Sequence, residues 1–91
     1  MRKRLEAQIT GRVQMVMFRD FAQRKARSLN LFGSVQNMPD KSVYVVAEGE
    51  EENLEKFLAL LHKGPMFAKV ENVEANYGPA KGEFQDFTII F

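Results

Sequence analysis

Cysteine is absent from this sequence of 91 residues, and histidine occurs once, as His62. The first absence excludes disulfide bonds, thiol nucleophiles and cysteine-ligated zinc, and it fits a reducing, cytoplasmic setting. His62 has no serine or carboxylate near it in sequence that would complete a catalytic triad. The acidic run Glu50–Glu52 lacks the spacing of a metal site and is typical of a solvated helix start.

Long apolar runs are also missing. None approaches the roughly 20 residues that a membrane-spanning helix requires, so we expect no membrane partner. The basic stretch Met1–Arg4 is not followed by an apolar core, which argues against a secretion signal. The composition is 45% hydrophobic and 27% charged, as in a soluble globular protein. The length suffices for one domain and not for two, so we expect a single domain over residues 1–91.

The net charge is +1, but the charged residues are distributed unevenly along the chain. Residues 1–30 hold eight Lys and Arg against two Asp and Glu, whereas residues 31–91 hold five against ten. Two interpretations remain open: chance placement on solvated faces, or a basic end that attracts an anion. Composition alone favours the first.

Hydrophobic periodicity predicts five strands and two helices. The predicted strands are 5–10, 31–37, 43–48, 70–77 and 87–91, and the predicted helices are 18–29 and 50–63. The alternation slips between Val70 and Val73, which indicates a bulge in the fourth strand. The order β-α-β-β-α-β with a short fifth strand predicts an α+β, ferredoxin-like sandwich, with an antiparallel sheet and two helices on one face. Many functions use this architecture, so it identifies none of them.

The loop between the first strand and the first helix is the strongest candidate for a binding site. The first N–H groups of a helix have no partner within it and lie at the positive end of its dipole. Arg19, in or near the first turn, adds a guanidinium that stays charged and whose donors match two phosphate oxygens. We therefore expect this loop to hold a phosphoryl group. Its residues are Gly11, Arg12, Val13, Gln14, Met15 and Val16.

Asn37 is the candidate polar partner of this loop. It has the same strand parity as Val35, so it points towards the helix-covered side at the open end of the second strand. There the strand end could meet the loop and the helix start. The competing interpretation is a turn residue ahead of Pro39, and spacing alone favours that interpretation.

A long pattern in the chain resembles the acylphosphatase family. Its first part is Gly11-Arg12-Val13-Gln14-x-Val16-x-Phe18-Arg19, and its second is Ala26-x-x-Leu29-x-Leu31-x-Gly33-x-Val35-x-Asn37-x-x-Asp40. The similarity runs from about residue 7 to about residue 91. The loop joined to the Val-x-Asn is a specific motif, unlike a lone glycine pattern.

The resemblance implies a small cytosolic enzyme that hydrolyses acyl phosphates to a carboxylate and inorganic phosphate, with no metal or cofactor. It also implies that Arg19 and the loop amides bind the phosphoryl group and that Asn37 orients the attacking water. The expected partners are a small-molecule acyl phosphate and inorganic phosphate, and the expected state is a monomer. Nucleic-acid binding is not expected, because the strands lack exposed aromatics beside basic residues and carry Glu48, Glu71 and Glu74.

Three residues depart from the family pattern, because Met15, Asn30 and Lys41 stand where glycine is usual. A left-handed backbone at Met15 would cost about 1–2 kcal/mol, and a misaligned loop amide would slow catalysis. With a negative φ, the side chain of Met15 would only narrow the entrance to the binding loop. This departure motivates an alternative: an acylphosphatase-like anion-binding module whose catalysis is weakened or lost. The presence of both Arg19 and Asn37 favours the enzyme.

Overall fold

The seven predicted elements are all present in a computed structural model that describes residues 1–91. They are β1 (Arg2–Arg12), α1 (Phe18–Ser28), β2 (Phe32–Asn37), β3 (Val43–Glu50), α2 (Glu51–Lys63), β4 (Lys69–Pro79) and β5 (Phe87–Ile90). Strands β1 and β4 are longer than predicted. Their polar ends lack the alternation that marks a buried face, but ladder pairing depends on the backbone and continues through them.

The strands form one sheet in the order β4-β1-β3-β2-β5. Strand β1 pairs antiparallel with β3 and β4, and β2 pairs antiparallel with β3. Strand β5 runs parallel to β2, so the sheet is mixed at this edge rather than antiparallel throughout. Alternation of apolar and polar residues shows which face of a strand is buried, but it does not show the direction of the strand. The sequence therefore did not reveal that β5 is parallel to β2. The ferredoxin-like α+β architecture itself is confirmed.

The core lies between the two helices and one face of the sheet. The alternating residues of β1 and the predicted stripes of both helices supply most of it, and each large aliphatic or aromatic side chain buried there contributes roughly 1.5–3 kcal/mol. The buried members of these sets are Leu5, Ala7, Ile9, Phe18, Ala22, Ala26, Leu54, Phe57 and Leu61. Neither α1 nor α2 combines the length and the apolar content that crossing a bilayer requires.

The predicted bulge in β4 sits where β1 leaves the sheet for the candidate loop. Thr10 pairs with Asn72 and Gly11 pairs with Val70, so Glu71 is the extra residue. Gly11 has φ 124°, and a Cβ at this position would collide with the backbone carbonyl of Lys69. Only glycine fits the close approach of these strands, and the bulge bends the end of the ladder at the entrance to the loop.

The opposite face of the sheet is crossed by the segment between β4 and β5. The carboxylate of Glu48, which is 1% exposed, accepts hydrogen bonds from the backbone amides of Lys81 at 2.9 Å and Gly82 at 3.0 Å. It also pairs with the guanidinium of Arg4 at 2.9 Å. Burial raises the pKa of Glu48, but these donors outweigh it and hold the pKa below its usual value. These hydrogen bonds hold the β4–β5 segment against the face of the sheet that lies away from the helices.

Candidate active site

The loop of residues 13–17 presents backbone N–H groups that have no backbone acceptor. None of these amides donates to a backbone carbonyl, and the earliest bond at the start of α1 is Phe21 N–H to Met17 O at 3.0 Å. No side chain caps this end of α1. Because N–H groups need partners and the helix dipole is positive here, the loop and the first turn of α1 are suited to bind an anion.

Two residues of the loop are left-handed, Met15 with φ 59° and Met17 with φ 60°. Such residues turn successive N–H groups towards one concave side, as in anion-binding nests. Of the two backbone conformations that the sequence left open for Met15, the structure has the left-handed one. The resulting strain amounts to about 1–2 kcal/mol. Its backbone nevertheless takes a conformation available to glycine, and its side chain is 99% exposed. Nothing in the sequence indicated that the backbone of Met17 would be left-handed.

The loop is anchored at both ends and at its middle. Val13 is fully buried and Phe18 is 1% exposed, so the two ends are fixed in the core. Between them, the side-chain amide of Gln14 donates to the carbonyl oxygens of Met38 at 3.0 Å and Ser42 at 2.9 Å. These contacts join the loop to the turn between β2 and β3.

Arg19 lies in the first turn of α1 without a carboxylate partner. None of the ion pairs of the protein includes it, and the neighbouring Asp20 pairs with Arg24 at 2.9 Å instead. The guanidinium carbon of Arg19 lies 4.8 Å from the ring centroid of Phe91. An aromatic face holds a guanidinium without neutralising its charge. The charge of Arg19 therefore remains available to an anion.

Arg19 and Asn37 line the same cleft, which has a volume of about 430 Å³. Val13 and Met15 form its loop side. In the β2–β5 register Gln36 pairs with Ile90, the last residue of β5. The residues that follow this pair in the chain, Asn37 and Phe91, both line the cleft. The loop, the start of α1 and the end of β2 thus meet at this cleft, an arrangement that the sequence left open beside the turn interpretation of Asn37. The contact of Phe91 with Arg19 was missed, because the sequence gives no signal for a pair so far apart along the chain.

The remaining predicted site residues lie around the other side of the loop. Gly11, Arg12 and Gln14 line a smaller cleft of about 310 Å³, which Met15 also borders. Val16 lines neither cleft and packs against the hydrophobic core. Of the predicted set, Val13, Met15, Arg19 and Asn37 therefore line the first cleft, and Gly11, Arg12, Gln14 and Val16 do not.

A larger cleft, of about 850 Å³, lies at the opposite end of β1. It is bordered by Arg2 and Lys3 and by the end of β4 from Tyr77 onwards. None of the predicted site residues belongs to it. It is basic, but it has neither the helix N-terminus nor the array of loop amides, so size alone does not make it the candidate site.

Comparison with known proteins shows the family. The family model described as Acylphosphatase matches residues 5–89. The chain belongs to the acylphosphatase family. The acylphosphatase of Thermus thermophilus is 52% identical over 79 residues, which cover 87% of this chain and 90% of that protein. The acylphosphatase of Salinibacter ruber is 44% identical over 87 residues, covering 96% and 92%.

Solved structures extend the agreement to three dimensions. The crystal structure of the acylphosphatase from Bacillus subtilis superposes with a TM-score of 0.94 at 31% identity, covering 98% of this chain and 99% of that one. Family and fold together support an enzyme that hydrolyses acyl phosphates. The alternative of an acylphosphatase-like module that has lost catalysis finds no support in these comparisons.

Proposed function

We propose that the protein hydrolyses the carboxyl-phosphate bond of acyl phosphates in the cleft shared by Arg19 and Asn37. In this proposal the backbone amides of the loop from Gly11 to Val16, together with Arg19, hold the phosphoryl group, and Asn37 orients the attacking water. The observation that carries the proposal is the meeting of a guanidinium without an acidic partner, unbonded loop amides and a side-chain amide in one cleft.

The chemistry asks little of the protein beyond position and charge. The water oxygen forms a bond to phosphorus while the bond from phosphorus to the carboxyl oxygen breaks. The carboxylate departs with the electron pair, and a proton of the water passes to a phosphoryl oxygen. Because the leaving group is already good, phosphoryl transfer here depends on alignment and on stabilising the charge of the equatorial oxygens. Asp20, which also belongs to the cleft lining, pairs with Arg24 and is not needed as a base.

The proposal includes the setting in which the reaction occurs. Residues 1–91 act as one acylphosphatase domain, as a monomer in the cytoplasm. The substrate is a small-molecule acyl phosphate, inorganic phosphate is the product, and neither nucleic acid nor membrane takes part. No metal or cofactor is required, since Arg19 and the loop amides supply the positive field that a metal ion would otherwise provide.

Benzoyl phosphate is a suitable probe of this function. The purified protein is expected to hydrolyse it in the presence of EDTA, with inorganic phosphate as a competitive inhibitor. Binding of phosphate by calorimetry without hydrolysis above background would instead support the binding module. In that case Met15→Gly, which removes the side chain and the left-handed strain, should gain large activity. If the proposal holds, Met15→Gly should change kcat by no more than roughly twofold.

A further inference from the structure

The side chain of Gln14 connects the two halves of the candidate active site. Its Nε2 atom donates to the carbonyl oxygens of Met38 at 3.0 Å and Ser42 at 2.9 Å, and so uses both N–H groups of the amide. The same Ser42 carbonyl accepts the backbone N–H of Met38 at 2.8 Å. Gln14 therefore closes the β2–β3 turn from the side of the loop.

The residues joined by these hydrogen bonds lie in or beside the two proposed parts of the active site. Gln14 lies within the unbonded stretch of the loop, directly before Met15. Met38 directly follows Asn37, the last residue of β2. One side-chain amide thus joins the anion-binding stretch to the backbone next to Asn37, the residue proposed to orient the water. No backbone hydrogen bond outside the sheet and helices joins residues 13–17 to this turn.

We propose that Gln14 is a positioning residue that fixes the distance between the phosphoryl-binding loop and Asn37. This inference rests on the proposed function, in which water held by Asn37 must lie in line with the bond that breaks. Reacting atoms have to be held within about 0.5 Å of the productive geometry, and an error near 1 Å costs on the order of 10²-fold in rate. Gln14 does not touch the substrate through its side chain, and it acts through Asn37.

Gln8 provides a matched control. Its Nε2 atom donates to Asp40 Oδ2 at 3.2 Å and to Ser42 Oγ at 3.1 Å. It therefore fastens the same turn, but from the body of β1 rather than from the loop. Methionine has a similar length and lacks the N–H donors. Gln14→Met and Gln8→Met consequently remove comparable contacts, and only the first lies between the loop and Asn37.

The test compares these variants in steady-state hydrolysis of benzoyl phosphate, each in the full chain and in an Asn37→Ala background. Gln14→Met is expected to lower kcat roughly 10- to 100-fold, with the inhibition constant of phosphate nearly unchanged. Gln8→Met should stay within roughly twofold of the parent. In the Asn37→Ala background Gln14→Met should have no further effect beyond roughly twofold, because the residue through which it acts is gone.

An unchanged kcat in Gln14→Met, an equal loss in both backgrounds, or an equal loss in Gln8→Met would overturn the inference. If Gln14→Met does not fold, Gln14→Asn serves instead. It keeps the amide but shortens the reach by about 1.5 Å, so the same loss of kcat and the same dependence on Asn37 are expected. Absence of turnover in the parent protein would refute the proposed function itself. An active parent with an unaffected Gln14→Met would refute only the role of Gln14.

Discussion

Arg19→Gln is expected to lower kcat for benzoyl phosphate by about 10³-fold and to weaken competitive inhibition by phosphate. The substitution removes a charge that no carboxylate of the protein offsets, together with the paired donors that match two phosphoryl oxygens. Its ring partner Phe91 holds the guanidinium by a face-on contact at 4.8 Å and cannot replace it. Steady-state kinetics with phosphate as competitor measure both effects.

Arg27→Gln is the matched control, since Arg27 lies on the same helix and pairs with Asp86 in an exposed position outside the cleft. Its kcat should stay within roughly twofold of the parent. Arg19→Lys, which keeps the charge but loses the planar fork, should fall between Arg19→Gln and the parent. Equal activity of Arg19→Gln and Arg27→Gln, with both variants folded by circular dichroism, would contradict the assignment of Arg19.

Asn37→Ala should lower kcat by about 10²-fold while leaving the inhibition constant of phosphate within roughly twofold. The physical reason is that Asn37 lines the cleft from the end of β2, across from the loop, and is proposed to contact the water rather than the phosphoryl group. The fold should persist, because the side chain is only partly buried and lies outside the core. Kinetics and urea unfolding of the same preparation separate the two effects.

Gln36→Ala controls for the loss of a polar side chain from the same strand. Gln36 precedes Asn37 and therefore points to the opposite face of the sheet. It is expected to retain kcat. A loss of phosphate affinity in Asn37→Ala that matches its loss of kcat would mean that Asn37 binds the phosphoryl group, and the proposed role in orienting water would be wrong.

The sequence sufficed for those parts of the fold that depend on local pattern. Alternation at Leu5, Ala7 and Ile9 and the helical stripe of Leu54, Phe57, Leu58 and Leu61 each predicted a buried face. All of these residues except the partly buried Leu58 are fully buried. The slip of alternation in β4 predicted the bulge. The parallel direction of β5 could not be predicted, because it is set by the path of the chain across the sheet and leaves no trace in the residue pattern.

The candidate site shows the same division. The loop and Arg19 follow from the helix N-terminus and its dipole, and Asn37 was assigned only by family resemblance, since spacing favoured a turn residue. The left-handed Asn30 and Lys41, with φ 57° and 75°, fall where the family pattern has glycine. The contact of Phe91 with Arg19 and the bonds of Gln14 to the β2–β3 turn arise from tertiary packing, so the sequence could not reveal them.

A phosphate titration followed by two-dimensional ¹⁵N–¹H NMR tests the central claim most directly, because it reports on every backbone amide at once. The account predicts that the largest shifts occur at the amides of residues 12–19, and that they are strongly reduced in Arg19→Gln. Shifts concentrated instead at Arg2, Lys3 and Tyr77–Gly82, around the larger basic cleft, or a titration that Arg19→Gln leaves unchanged, would contradict it.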